Sequence, residues 1–95
     1  MRFEWDDEKN RINIKKHNID FSLAAKVFSD PFRIESYDKN HSNFEDRYIT
    51  IGEINGTMIV ITVVYTERRE AIRIISARIA TKSERRFYYD SKERY

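Results

Sequence analysis

The sequence predicts an α+β fold, with two N-terminal helices packed on a four-stranded antiparallel sheet and a C-terminal helix after it. Three observations point there. Helix-compatible residues with capping signals fill the first third of the chain, and the apolar period switches to two from Phe32 onward. A reciprocal capping pair, Thr81 and Glu84, then follows the last alternating run. With 2 Gly and 1 Pro in 95 residues, and neither repeat nor linker, a single domain over residues 1–95 is expected.

In chain order, RFEW alternates and can form a short strand. DDEKNRINIKKHN predicts a helix from Asp7 to His17, with acidic residues in its first turn and Asn18 at the place of a left-handed cap. Asp20 is the N-cap of a second helix, FSLAAKVFS, in which Phe21, Ala24, Ala25 and Phe28 fall at helical spacing, and Pro31 closes it. FRIESY, RYITIGE, TMIVITVVYT and AIRIISARI are the four strands. Asn55-Gly56 signals a two-residue hairpin between the second and third, and ERRE turns the third into the fourth. DKNHSNFED is a polar loop, and SERRFYYDSKER the terminal helix.

Composition limits function. Hydrophobic residues at 40% and aromatics at 14% are enough for a core, while 36% charged residues cover the outside with both signs. A net charge of +2 does not by itself announce a nucleic-acid binder, but Arg68, Arg69, Arg73, Arg78, Lys82, Arg85 and Arg86 crowd the last third of the chain. The absence of cysteine excludes disulfides, thiol catalysis and Cys-ligated zinc or iron–sulfur sites, and it fits a reducing cytoplasm. MRFEWDDEKN lacks the apolar core of a signal peptide and MIVITVVY is too short to span a bilayer, so a soluble cytoplasmic protein without a membrane partner is expected.

The segment RIISARIATKSER places arginines in a strand that should be half buried. Under strict alternation Arg73 shares a face with Ile75 and Ala77, and Arg78 shares the other with Ile72, Ile74 and Ser76, so at most one of them reaches an open sheet surface. Arg78 at the strand end, Arg85 one turn into the next helix and that helix's first amides can converge on a phosphate. The alternative is an ion pair from Arg78 to Glu84 or to an acidic loop residue.

Asn10, Asn13 and His17 form a polar stripe on the first helix, with Lys9 and Lys16 alongside. The stripe suits proton transfer or phosphate binding, or is a solvated face ending in a histidine. His41, in the polar loop, is a weaker candidate. Tyr65, Phe87, Tyr88 and Tyr89 either stack on unpaired bases or pack with their hydroxyls in water. The sequence holds no Gly-rich phosphate loop, no Ser/His/Asp order and no metal-ligand spacing, so no metal or cofactor is expected.

FEWDDEKNRINIKKHNIDF, VFSDP, RYITIG, VVYTER and RIISARIATKSER, in this order and spacing, resemble the BrnT family, the toxins of bacterial type II toxin–antitoxin modules. Two departures stand out: Asn18, where such proteins usually have Gly after the His, and TERRE, where relatives often carry a glycine in the turn. The resemblance implies a RelE-like fold and a ribonuclease that cleaves RNA and arrests translation. It also implies a BrnA-like antitoxin with a ribbon-helix-helix part, through which alone operator DNA would be contacted.

On that reading cleavage is metal-independent, by attack of the ribose 2′-hydroxyl on the adjacent phosphorus. Arg78 and Arg85 clamp the scissile phosphate, Arg73 or Arg68 holds a neighbouring one, Tyr65 contacts RNA, and His17 or Lys16 handles a proton. The alternative is a non-catalytic basic module that holds nucleic acid or an acidic protein.

Overall fold

The computed structural model describes residues 1–94. Its elements are β1 (Arg2–Glu4), α1 (Asp7–His17), α2 (Phe21–Ala24), β2 (Ile34–Tyr37), β3 (Arg47–Ile54), β4 (Ile59–Arg68), β5 (Ala71–Ile79) and α3 (Lys82–Lys92). The class is the α+β class expected, but the sheet has five strands in the order β1-β5-β4-β3-β2, and it is mixed. The opening strand is the addition: β1 runs parallel to β5, with Phe3 beside Ile72 and Glu4 beside Arg73. Phe3 then meets Phe28 on the helix side of the sheet, ring centroids 5.3 Å apart.

Helix α1 begins where Asp6 accepts hydrogen bonds from the Glu8 and Lys9 amides, and it ends in Asn18 at φ 57°, the left-handed cap that a Gly would fill more cheaply. It is not amphipathic. Ile12 and Ile14 are 50% and 39% exposed, and the one buried residue of the helix is Asn13. That amide fastens the helix to the sheet, since Nδ2 donates to the carbonyls of Ala77 and Ile19, both at 2.9 Å, while Oδ1 accepts from the Ala77 amide at 3.1 Å. Asn13 thereby supplies β5 with an edge partner past the point where β1 ends.

The second helix departs from expectation. It is α-helical only over Phe21–Ala24 and tightens to 3-10 over Ala25–Ser29. The reason lies in the buried positions, Phe21, Ala24 and Val27, which recur every third residue, the repeat of a 3-10 helix. Gly52 on β3 allows the close approach this requires, because a Cβ there would lie 2.6 Å from Val27 Cγ2.

The β3–β4 connection is longer than the expected two residues: Ile54 pairs with Ile59, and positive φ falls on Gly56 (72°) and Met58 (63°), not on Asn55. The turn is therefore not the mirror-image type that Asn-Gly favours. In the β4–β5 turn Arg69 sits at φ 55°, a conformation glycine adopts without strain.

One face of the sheet packs on α2 and the 3-10 segment, through Ile61, Val63, Ile74 and Ala77. Tyr65 belongs to this face as well. It is 1% exposed, with its ring against Tyr48 and Phe28 and its hydroxyl on Glu35. No helix of the described residues is long and apolar enough to cross a membrane.

Candidate nucleic-acid interface

The second sheet face carries the arginines, and a bulge decides which ones. In the β4–β5 ladder Val64 pairs with Ser76 and Tyr65 with Ile74, so Ile75 is an extra residue. An inserted residue shifts the parity of everything beyond it. Arg73, opposite Thr66, and Arg78, opposite Thr62, consequently lie on the same face, with Ser76 opposite Val64 between them. This corrects the expectation from strict alternation, in which the two arginines pointed apart.

Following the register across the sheet, one row reads Arg47, Thr66, Arg73, Glu4, and another reads Ile51, Thr62, Arg78. Between them Ile49, Val64 and Ser76 are only partly buried although they sit mid-sheet. The two ends of the face are covered: Thr66 donates to the Asp46 carbonyl of the polar loop, and Thr62 donates to Glu84 of α3. The result is a shallow floor with cationic groups at its margins.

Those cations differ in their engagement. Arg73 Nη1 donates to Glu4 at 2.9 Å, and its other donors have no partner among the described residues. Arg78 is held in a fork by Glu84, at 2.7 and 3.0 Å. Glu84 also accepts from the Thr81 amide at 2.8 Å, completing the predicted capping box. The Arg78 hydrogen bonds, joined by those from Thr81 and Thr62, lower the Glu84 carboxyl from 4.5 to about 2, and the same pairing raises Arg78 further. The anion that Arg78 and the α3 N-terminus meet is thus the chain's own carboxylate. Arg47, by contrast, has no ion-pair partner among the described residues.

Other expected positions fall elsewhere. Arg85 does not join Arg78: it donates to the Met58 carbonyl at 3.2 Å and lies over the Tyr89 ring at 5.2 Å. Arg68 is bound by Glu45 near the loop. Tyr65 offers no ring face to a base, because the odd positions of β4 face the core. His41 pairs with Asp38.

Of the polar stripe on α1, Asn10 and Asn13 are consumed by structure, the former accepting from the Phe21 amide. His17 and Lys16 remain exposed, and with Ile75 and Ser76 they line a cleft of about 170 Å³ between α1 and the bulge. Ser76 therefore joins the arginine face to the α1 cleft.

A family model described as "Ribonuclease toxin, BrnT, of type II toxin-antitoxin system" matches residues 5–84. The chain belongs to the BrnT family. No curated protein matches it. The matched span runs from Trp5 to Glu84, so it takes in the BrnT chain's α1 cleft, the bulge and the Arg78–Glu84 fork.

Sequence reasoning missed Arg47 and Ser76. A hydroxyl in the middle of an otherwise apolar run, next to the doublet Ile74-Ile75 that breaks the period of two, was the signal available for the second.

Proposed function

We propose that this toxin is a metal-independent endoribonuclease whose substrate lies across the second sheet face, and that it stops translation by cutting RNA. The observation that carries the reading is the bulge at Ile75, which brings Arg73 and Arg78 to one surface with Ser76, itself a lining residue of the cleft that holds His17 and Lys16. Single-stranded RNA supplies its own nucleophile. The 2′-hydroxyl loses its proton to a base, its oxygen bonds to phosphorus, and the 5′-oxygen of the next nucleotide leaves with a proton from an acid. Negative charge builds on the non-bridging oxygens, where fixed guanidiniums are most effective.

Arg78 and Arg73 are the phosphate contacts in this reading, with Arg47 on a neighbouring phosphate. Their carboxylate partners are compatible with that role. An Arg presents five N–H donors, and the Arg73 and Arg78 pairs, with side chains 28% and 41% exposed, are worth about 0–1 kcal/mol each. Glu4 and Glu84 orient the guanidiniums, and a phosphate takes the remaining donors. His17, or Lys16 beside it, handles the proton; a histidine ring can both take and give one near neutrality. Arg85 is left out of the clamp because it donates to the Met58 carbonyl, and Tyr65 out of the RNA contacts because its ring is buried.

The partner is an antitoxin, in our reading of the BrnA kind with a ribbon-helix-helix part that alone meets operator DNA, and the complex is cytoplasmic. The test is incubation of the purified protein with a defined RNA in chelator. Fragments ending in 2′,3′-cyclic phosphate support the nuclease. Intact RNA with a salt-sensitive mobility shift supports a non-catalytic binding module instead.

A further inference from the structure

The cleft between α1 and the β5 bulge contains more than the proton-handling pair needs. Lys9, Asn13, Lys16 and His17 stand at positions i, i+4, i+7 and i+8, one face of the helix, and all four line the cleft. Ser76 and Ile75 form its other wall, and no carboxylate is among the lining residues. Lys9, Lys16 and His17 have no ion-pair partner among the described residues, although Glu8 and Arg11 on the same helix pair with each other.

The Ser76 hydroxyl makes no hydrogen bond within the described residues either. It sits at a bulge, a feature that commonly re-aims a side chain next to a functional site. Ile12, 50% exposed, and Ile75 give the cleft apolar sides. Asn13 fixes the helix to Ala77, so the walls are held at a set spacing.

We infer that this cleft is a nucleotide subsite, which deepens the ribonuclease reading and rests on it: Lys9 and Ser76 hold the phosphate of the nucleotide next to the scissile one, and the sugar or base rests on Ile12 and Ile75. The ligand class follows from the lining. Ammonium groups lining one cleft and a hydroxyl without a hydrogen-bond partner among the described residues suit a phosphate oxygen, and the apolar sides suit the flat or saturated parts of the same nucleotide. A protein carboxylate would satisfy the cations but would leave the apolar walls unused. Continuity with Arg73 and Arg78 through Ser76 gives a path for a strand passing from the cleft onto the sheet.

The test uses a short 2′-deoxy oligonucleotide, which lacks the attacking hydroxyl and so reports binding without cleavage. Its affinity is measured by fluorescence anisotropy over a salt series for the wild type, Lys9→Gln, Ser76→Ala and Lys15→Gln. Lys15 is a cation of the same helix outside this cleft and serves as the control.

The subsite predicts that Lys9→Gln weakens binding several-fold and lowers the slope of log affinity against log salt by about 0.7, the loss of one single-strand phosphate contact. Ser76→Ala should weaken binding with an unchanged slope, and Lys15→Gln should behave as wild type. Equal affinities and slopes for Lys9→Gln and Lys15→Gln, or no effect of Ser76→Ala, overturn the subsite. Failure of the ribonuclease reading shows separately, as wild-type protein that binds this oligonucleotide but leaves the matching RNA whole.

Discussion

The side-chain amide of Asn13 hydrogen-bonds both the amide and the carbonyl of Ala77, so one residue of α1 replaces a length of β-strand along the edge of β5. Because α1 buries no apolar side chain of its own, this contact, the Nδ2 bond to Ile19 and the Asn10–Phe21 bond hold the helix and position the cleft beside it. Asn13→Ala should destabilise the protein by roughly 2–4 kcal/mol, since it leaves buried backbone groups unpaired. Asn13→Asp should not rescue it, because a carboxylate cannot donate to the Ala77 and Ile19 carbonyls. Urea unfolding midpoints at fixed pH measure both.

The Arg78–Glu84 fork has a pH signature. The folded-state pKa of Glu84, about 2, lies below its ordinary 4.5, so its contribution to stability is complete above the ordinary value and is lost as pH falls toward 2. Arg78 is 41% exposed, so solvent screening reduces the contribution to about 1–2 kcal/mol, capping included. Glu84→Gln should therefore unfold at lower urea than wild type at neutral pH, and the gap should narrow steadily in acid. A gap independent of pH would mean that the fork adds nothing beyond the neutral cap.

If His17 handles a proton during cleavage, His17→Ala should lower the rate by roughly a hundred-fold to ten-thousand-fold, and should remove one limb of the pH–rate profile. Single-turnover cleavage of a short RNA across the acid and neutral range measures it. A His17→Ala profile with the wild-type shape would transfer the role to Lys16, whose Lys16→Met variant would then carry the change.

Much of this fold could be read from the chain. The ends of α1, its left-handed Asn18, the Thr81–Glu84 box and the bounds of β5 all followed from local chemistry, in which a capping side chain or an alternating run fixes its own neighbourhood. What could not be read depended on partners distant in sequence. The short opening strand joined the sheet, parallel to β5, because β5 offers it an edge, the second helix tightened because Val27 must fit over Gly52, and Asn13 turned inward because Ala77 lacks a strand beside it.

The site was legible in part. Arg73, Arg78, His17 and Lys16 were singled out from the sequence, but the face they share depends on one extra residue at Ile75. Alternation alone assigns the two arginines to opposite sides, since they are an odd number of positions apart, and only the register of β4 against β5 shows the shift. Arg85 and Tyr65 were misplaced for a related reason: nothing in their neighbourhoods reports the Met58 carbonyl or the core that receives them.

The central claim is that RNA is cut on the face carrying Arg73 and Arg78. The most direct measurement is single-turnover cleavage by Arg73→Ala and Arg78→Ala beside Arg85→Ala and Arg69→Ala, with circular dichroism confirming that each is folded. The account predicts a loss of about a hundred-fold for Arg78→Ala, equivalent to roughly 3 kcal/mol of transition-state stabilisation, a substantial loss for Arg73→Ala, and near wild-type rates for the other two. Folded Arg73→Ala and Arg78→Ala proteins that cut RNA at the wild-type rate would contradict it.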